Sequence, residues 1–275
     1  MKLAASLRHS LFMYRRLAGL SIQSQLRYRS SLLLSIVSQF LIIGVEFLAL
    51  YLMFQRFRSF MGWSLPEMAV LYGLVNTCFA LADALAYGFD QMGPLLKNGN
   101  FDRLLLRPLP LLVQLLGMEV TIRRAGRLLL GISTFGWGLS GLLPTIQLGA
   151  PALALLLAAT VAGTLVFLLI FLVQAACTFV TIEGLEFMNA FSYGGQQAAS
   201  HPLLGYRRAI QVLFTGFIPI GACIYLPLCL ILGRVGLPGL PAWAHAAGPL
   251  AVLPFGAFAL ALWHLGVCRY SSAGG

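Results

Sequence analysis

Two acidic residues, Glu46 and Asp83, lie inside long apolar runs and are the first candidates for chemistry in this sequence. A carboxylate at membrane depth is costly, and for that reason it usually has a function. We expect Glu46 near the outer end of its run and Asp83 near the inner end, where either carboxylate can reach water or an arginine. A structural role and a role in a pathway or gate therefore both stay open.

A second acidic pair, Glu183 and Glu186, is spaced to share one face of a helix. Two arginines, Arg207 and Arg208, follow in the same polar-leaning loop. The sequence predicts charge pairs between the two sets on the cytoplasmic side, with contact to a partner protein as the alternative.

Arrangements typical of enzymes are missing from the sequence. The four histidines have neither HxxxH spacing nor neighbouring carboxylates that would form a metal site. No serine, histidine and aspartate, and no pair of carboxylates, can be assigned to one side of a membrane as a catalytic set. The five cysteines form neither a CxxC pair nor a zinc spacing. We therefore predict no catalytic residue, no metal and no cofactor on this chain.

The composition determines which elements position these residues. Of the 275 residues, 59% are hydrophobic and only 9% are charged, whereas about a quarter of the residues of soluble domains are charged. The sequence therefore predicts an all-α polytopic membrane protein. Its net charge of +10 indicates arginines beside anionic lipid rather than nucleic acid binding, because no soluble basic module accompanies it.

Six apolar segments are long enough to be membrane spans. The fourth is long enough to tilt, and Pro219 and Pro227 break the fifth, which predicts a kinked or re-entrant element there. Residues 5–28 mix leucines with arginines and predict an amphipathic helix on the cytoplasmic membrane surface, with a solvated basic tail as the alternative. The six segments lie at about 31–54, 67–89, 125–143, 152–180, 210–232 and 246–267.

The distribution of lysine and arginine predicts the orientation, since cytoplasmic loops carry the excess. With six spans, fifteen of the eighteen basic residues fall on one side, and only Arg56, Arg58 and Arg234 fall on the other. Both termini are therefore expected in the cytoplasm. The chain is expected to be one transmembrane domain over 1–275, with a cytoplasmic segment at 1–30, six spans within 31–267 and a tail at 268–275. No removable signal peptide is expected, because no small-residue cleavage site follows an apolar core.

The cytoplasmic loop at 91–117, QMGPLLKNGNFDRLLLRPLPLLVQLLG, is the most informative stretch. Gly93-Pro94 predicts the end of a helix, Gly99 permits a turn, and Asn100 or Asp102 is positioned to cap a short helix before the next proline. A compact, charged helix bounded by turns is suited to dock on a partner. A plain interfacial loop is the alternative.

This loop resembles that of the membrane permeases of type-2 ABC exporters, in the six-span subfamily found beside daunorubicin-resistance-like ATPases. The family pattern Gly-x-(Leu/Phe)-Asp-x-x-Leu-Leu-Arg-Pro is similar to the stretch from Gly99 to Pro108. Two further motifs, YGGQQAASHPLLGYRRAIQVLFTGFIPIGACIYLPLCLILG and the C-terminal GVCRYSSAG, are similar and follow in the family's order. The resemblance covers essentially the whole chain, and His201 and Gly216 depart from the pattern without unsettling it.

The resemblance implies a permease subunit of the bacterial cytoplasmic (inner) membrane that exports a substrate and has no enzymatic activity of its own. A cytoplasmic dimer of ABC ATPases would hold Mg-ATP and bind the loop. A second permease, similar or identical, would complete the pathway within membrane lipid. Glu46, Asp83, Pro219, Tyr225 and Pro227 become candidates for gating or for the pathway. The residues expected to dock the ATPase are Leu96, Lys97, Gly99, Asn100, Phe101, Asp102, Arg103, Leu105, Leu106, Arg107 and Pro108.

The stretch FSYGGQQ at 191–197 resembles the Gly-Gly-Gln signature of ABC ATPases, but no GxxxxGK[ST] phosphate loop accompanies it. We interpret it as part of a flexible cytoplasmic loop. The alternatives to an ABC permease are an ion-coupled secondary transporter that uses Glu46 or Asp83, and a membrane scaffold without transport. The sequence leaves lipid, glycan, peptide and drug open as substrates.

Overall fold

The computed structural model describes residues 2–57, 59–146, 148–181 and 184–271. This described part is helical, with one isolated bridge between Phe60 and Trp63 and no β-strand. The all-α prediction is confirmed. The α-helices in chain order are α1 (Lys2–Leu26), α2 (Arg29–Arg56), α3 (Leu65–Leu85), α4 (Tyr87–Asp90), α5 (Met92–Lys97), α6 (Asn100–Leu105), α7 (Leu111–Met118), α8 (Ala125–Leu142), α9 (Ala150–Cys177), α10 (Gly184–Ala199), α11 (Arg208–Val212), α12 (Leu226–Ile231), α13 (Ala242–Ala247) and α14 (Val252–Arg269).

Four described stretches are long and apolar enough to cross a membrane: α2, α3, α9 and the stretch Ala242–Arg269, which joins α13 to α14. They agree with the first, second, fourth and sixth predicted segments. The apolar part of α3 is 78% buried within the chain, and that of α2 only 11%. Therefore α3 is the central helix of the bundle, and α2 lies at its periphery.

The third predicted segment forms α8, which lies antiparallel beside α3. Glycines permit the close contact between them, since a Cβ at Gly138 would come within 2.7 Å of the Pro66 carbonyl oxygen. Such close backbone approach is typical of small-residue packing between membrane helices. At the other end of the pair, Arg124 reaches Asp83. The two helices therefore cover the same depth, although α8 is not among the four stretches that pass on length and apolarity.

The N-terminal amphipathic segment is helical, as predicted, and forms α1. Near its end, Gln25 donates a hydrogen bond to the Val120 carbonyl oxygen at 2.6 Å and accepts one from the Ile122 N–H at 3.0 Å. These bonds fix the end of α1 to the stretch between α7 and α8. The location of α1 on a membrane surface stays a prediction.

The stretch interpreted as a flexible cytoplasmic loop contains α10, so that interpretation is wrong. Helix α10 packs against α9 and α3. Its buried Gln196 donates a hydrogen bond to the Asn76 Oδ1 atom, 3.3 Å away in the middle of α3. Satisfying each amide with the other allows this polar helix to lie inside the bundle.

Helix α10 runs from one end of the bundle to the other. It begins beside the end of α9, where Gln174 donates a hydrogen bond to Asn189 at 3.3 Å. Just beyond its last residue, Gly205 lies against Met61 in the α2–α3 linker, because a Cβ there would be 2.7 Å from the Met61 sulfur. The α2–α3 linker and the α9–α10 linker are at opposite ends of the bundle, since three long helices, α3, α8 and α9, lie between them along the chain.

The fifth predicted segment is bent rather than continuous. Its two arms, Arg208–Phe217 and Gly221–Ile231, meet at 84°, and each arm contains a π-helical turn. Pro219 lies between the arms and supplies no backbone N–H to continue a helix. The prediction of a kinked or re-entrant element is confirmed.

Both ends of this bent segment lie at the α2–α3 linker. Its first arm begins three residues after Gly205, which lies beside Met61. Three residues after its second arm, Arg234 pairs with Glu67 at the start of α3. The bend lies deeper, where Ile218 lines a cavity together with Val173 of α9. The segment therefore enters and leaves at one end, and we call residues 208–231 the re-entrant hairpin. Unlike the hairpin, α10 traverses the bundle.

Candidate functional site

The loop at 91–117 contains α5, α6 and most of α7, and the predicted short helix is α6. Gly99 has a φ of +64°, which favours glycine, and α6 begins directly after it. Gly99 occupies the N-cap position, so Asn100 is not the N-cap residue, and Asp102 lies in the first turn of α6, where a carboxylate stabilises the N-terminus of a helix. The helix end predicted at Gly93-Pro94 is also wrong, because Pro94 lies in the first turn of α5, where a missing N–H is tolerated.

The surface of α6 combines exposed leucines with exposed cations. Leu105 is 45% exposed and Leu106 is 85% exposed, which is unusual for large apolar side chains in a charged loop. The other residues of the predicted docking set that are exposed are Lys97, Asn100, Arg103, Arg107 and Pro108. Leu96 and Phe101 are buried, so their place in that set is wrong, since a docked partner could not reach them. We call residues 103–108 the α6 surface.

Phe101 anchors α6 to two membrane helices. Its ring packs edge-on against Phe179, just after α9, at 5.4 Å between centroids, and against Tyr270, just after α14, at 4.9 Å. Phe179 in turn contacts Trp263 of α14 at 5.5 Å. We call these four residues the aromatic cluster. It makes α6 a rigid extension of the ends of α9 and α14.

Gln114 is a second anchor of the loop, and the sequence analysis missed it. Its buried amide donates hydrogen bonds to the carbonyl oxygens of Leu104 at 3.0 Å and Leu109 at 2.8 Å. It thereby satisfies groups at the end of α6 and in the turn that follows. No local signal identifies a glutamine in the leucine-rich α7 as a helix cap.

Asp83 forms an ion pair with Arg124, as expected of a carboxylate within reach of an arginine. Arg124 also lies 3.6 Å from Asp90, where burial raises the pKa of the Asp90 carboxyl to about 6. Arg124 also donates a hydrogen bond to the Asp83 carbonyl oxygen at 3.2 Å, so its main partner is Asp83. This pairing favours the structural reading of Asp83.

Glu46 has a different environment. It lines a cavity of about 330 Å³ together with Tyr72, Gln197 and His201, and the Tyr72 hydroxyl lies 3.4 Å from its Oε2 atom. Within the part of the chain that the structure describes, Glu46 forms no ion pair. Of the two predicted carboxylates, Glu46 is therefore the one that faces open space.

The end of the bundle at the α2–α3 linker has its own polar site. Glu67 receives two hydrogen bonds from Arg234, at 2.8 and 2.9 Å, and a third from the Ser64 N–H at 2.7 Å. Beside this pair, the rings of Trp63 and Tyr225 stack at 5.8 Å. The sequence analysis did not single out Glu67, although Ser64 three residues before a glutamate is a capping-box signal.

The candidate gating residues separate into two groups. Pro219 lies at the bend of the re-entrant hairpin, while Tyr225 and Pro227 lie buried on its second arm. Glu46 and Asp83 lie elsewhere, on α2 and α3.

The predicted charge pairs on the cytoplasmic side involve the Glu183 and Glu186 side chains, which lie outside the described part of the structure. Glu183 lies outside the described residues, and Glu186 belongs to the first turn of α10. Arg207 and Arg208 follow the opposite end of that helix, roughly 20 Å away at 1.5 Å per residue. The backbone therefore places Glu186 and the two arginines at opposite ends of α10, a separation that disfavours the pairing, which stays a prediction.

Within the described residues, no group of three His, Cys, Asp or Glu side chains could hold a metal ion. Comparison with known proteins gives one family: a model described as "ABC-2 family transporter protein" matches residues 40–274. No curated protein and no solved structure matches the chain.

Proposed function

Because the chain belongs to the ABC-2 transporter family, whose members are permeases of ABC-type transporters, we propose that it is the permease subunit of an ATP-driven exporter. A cytoplasmic pair of ABC ATPases binds and hydrolyses Mg-ATP, and a second permease chain, identical or similar, completes the pathway. The complex works in the bacterial cytoplasmic membrane. This chain itself carries no catalytic residue and no cofactor.

The observation that carries the proposal is the exposure of Leu105 and Leu106 on an anchored helix. Two leucines between arginines form a small apolar patch with a charged rim, which is the composition of a protein interface. A partner that covers the patch gains the apolar burial without having to order α6, since Phe101 and Gln114 already hold it. The α6 surface is therefore suited to be the ATPase-docking surface.

The aromatic cluster supports a route by which ATP hydrolysis reaches the membrane. A partner can shift the permease between conformations only through contacts that differ between them. Movement of α6 changes the packing of Phe101 on Phe179 and Tyr270. Phe179 lies just after the end of α9, and Tyr270 lies just after the end of α14. Closure of the ATPase pair thus acts on two membrane helices at once.

The bundle supports six membrane crossings, but the fifth crossing is α10 and not the predicted segment at 210–232. The crossings are α2, α3, α8, α9, α10 and the joined α13–α14, and the hairpin returns to the side from which it enters. With α10 as a crossing, Arg207 and Arg208 move to the side of the α2–α3 linker. Thirteen of the eighteen basic residues then remain on the side of α6. The positive-inside rule then favours α6, both termini and α1 on the cytoplasmic side.

The second candidate function is an ion-coupled secondary transporter, and the environment of Glu46 is the observation that favours it. Glu46 faces a cavity at membrane depth and has no ion pair among the described residues, as a proton carrier would. Transport by the ATP-driven complex should stop with vanadate and persist when an ionophore collapses the proton gradient at constant ATP. The opposite pattern favours the secondary transporter.

The docking proposal is tested by charging the exposed leucine. Leu106→Glu should release the ATPase subunits during purification of the tagged complex and abolish vanadate-sensitive ATP hydrolysis in it. A truncated interface hot spot costs about 2 kcal/mol or more, so the affinity should fall roughly thirtyfold or further. Leu240→Glu is the matched control, because Leu240 is 41% exposed in the loop between the hairpin and α13. Normal ATPase association of Leu106→Glu would disprove docking on the α6 surface.

A further inference from the structure

The exposed surface of α2 has two flanks of opposite character. One flank is apolar and suited to face lipid, with large side chains that are more than half exposed: Leu34, Leu41, Val45, Leu48 and Leu52. The other flank carries Ser31, Ser35, Gln39 and Glu46, which recur at the spacing of one helix face, with the exposed Ile42 between Gln39 and Glu46. We call this second face the polar flank of α2.

Three cavities follow one another along the polar flank. The first, of about 400 Å³, lies at the start of α2, where Ser31 faces Arg123. The second, of about 320 Å³, is lined by Ser35 and Gln39. The third, of about 330 Å³, is the cavity of Glu46. Together they extend along most of the length of a membrane-spanning helix.

Two polar groups on this flank, Gln39 and Glu46, lack strong hydrogen bonds from the chain itself, whereas the Ser35 hydroxyl donates one to the Ser31 carbonyl oxygen at 2.9 Å. In the described part of the chain, the Gln39 amide makes no hydrogen bond, and Glu46 has only the Tyr72 hydroxyl at 3.4 Å. Exposing an amide or a carboxylate to hydrocarbon costs several kcal/mol of free energy. Water or a polar molecule must therefore occupy the three cavities when the protein is in a membrane.

We propose that the polar flank of α2 is the wall of the water-filled transport pathway, and that the substrate moves along it with a hydroxyl- or amide-bearing face that has no net negative charge. The proposal rests on the proposed function, since it names the path and the substrate class of that exporter. Entry is at the cavity between Ser31 and Arg123, and the route continues past Gln39 to Glu46.

The charges along the path decide the substrate class. Arg123 lies 4.0 Å from Glu119, and Arg124 is held by Asp83 and Asp90, so the cations beside the first two cavities are neutralised. The remaining lining of the first two cavities is mostly hydroxyl and amide groups, and that of the third combines Tyr72, Gln197 and His201 with Ala49, Leu50 and Met53. In the described part of the chain Glu46 forms no ion pair, although the cation Arg127 lies within its electrostatic reach. At the surface of the cavity its carboxylate repels anions and accepts hydrogen bonds from neutral or cationic groups.

The path is tested by thiol reactivity on the two flanks. In the complex in membrane vesicles, with exposed Cys268 replaced by serine, Gln39→Cys and Glu46→Cys are treated with small hydrophilic methanethiosulfonate reagents. Leu41→Cys and Val45→Cys are controls at nearly the same depth on the apolar flank. We expect reaction on the polar flank to be at least about tenfold faster, because apolar surroundings raise a thiol pKa and each unit removes nine-tenths of the thiolate.

The substrate class is tested at Gln39→Cys with Glu46 intact. A neutral and a cationic reagent should react faster than an anionic one of the same size, and Glu46→Gln should remove that difference. Fastest reaction with the anionic reagent would overturn the substrate class.

Equal rates on both flanks would overturn the pathway, and so would disulfide crosslinks between two copies at Gln39→Cys, since a second permease would then fill the groove. ATPase co-purification is measured on the same variants. If the ATPase still co-purifies but the polar-flank cysteines do not react, the pathway is wrong and the exporter proposal stands. If no ATPase co-purifies even with the parent protein, the exporter proposal itself is wrong.

Discussion

Phe101 and Tyr270 pack edge-on, with ring centroids 4.9 Å apart, although they lie in the middle and near the end of the chain. This contact joins α6 to the last membrane helix. Because the exposed α6 surface and the buried Phe101 belong to one short helix but point to different surroundings, docking and force transmission are carried by different side chains. They can therefore be separated by mutation.

Phe101→Ala should uncouple the permease from ATP hydrolysis while the α6 surface still binds the ATPase. The change removes a fully buried ring from the aromatic cluster, so the contacts that link α6 to α9 and α14 are lost. Substrate-dependent stimulation of ATP hydrolysis in the reconstituted complex is the measurement. Phe101→Leu, which keeps most of the volume, should lose less, and unchanged transport in Phe101→Ala would refute the link.

Gly138→Ala should destabilise the bundle because the added methyl group meets backbone atoms of α3, including the Pro66 carbonyl oxygen at 2.7 Å. Overpacking of this kind costs about 1–3 kcal/mol. Thermal unfolding of the purified protein in detergent reports it. Gly136→Ala is the matched control on the same helix, since no neighbouring atom lies within 4 Å of its added Cβ, and it should unfold no earlier than the parent.

Arg234→Ala should loosen the exit of the re-entrant hairpin, because it leaves Glu67 buried without its cation. Loss of one partner of a buried pair costs several kcal/mol, but the arginine side chain is 40% exposed, so we expect about 1–2 kcal/mol after solvent screening. Glu67→Gln combined with Arg234→Ala should recover part of that loss, since glutamine still accepts the Ser64 N–H. A double-mutant cycle on unfolding temperatures that shows no coupling would contradict the pairing.

Arg207→Cys should be labelled by an impermeant thiol reagent in intact cells, as should Gly62→Cys in the α2–α3 linker. The reason is that α10 carries the chain to the linker end before Arg207. Asn100→Cys, on α6, should need permeabilised cells. If Arg207→Cys behaves like Asn100→Cys, α10 does not cross the membrane and the original count of the basic residues is right.

The sequence predicts the elements whose signals are local. Long apolar runs identify α2, α3 and α9, and glycine and proline bracket α6. It does not identify α10, because Gln196 and Ser192 look like loop residues until Asn76 satisfies the amide inside the bundle. The burial of Phe101 is equally hidden, since its partners Phe179 and Tyr270 are distant in sequence.

The hydrogen bond between Asn76 and Gln196 joins residues that are 120 positions apart in the chain. This separation determines the order in which the two helices are synthesised and reach the membrane. Translation delivers α3 to the membrane well before α10 emerges. A polar helix such as α10 is not hydrophobic enough to insert into lipid by itself. The re-entrant hairpin that follows it is hydrophobic enough to be mistaken for a membrane-spanning helix. If α10 crosses the membrane as proposed, Asn76 is positioned to retain it there, and the hairpin then turns back because the crossing beside it is already occupied.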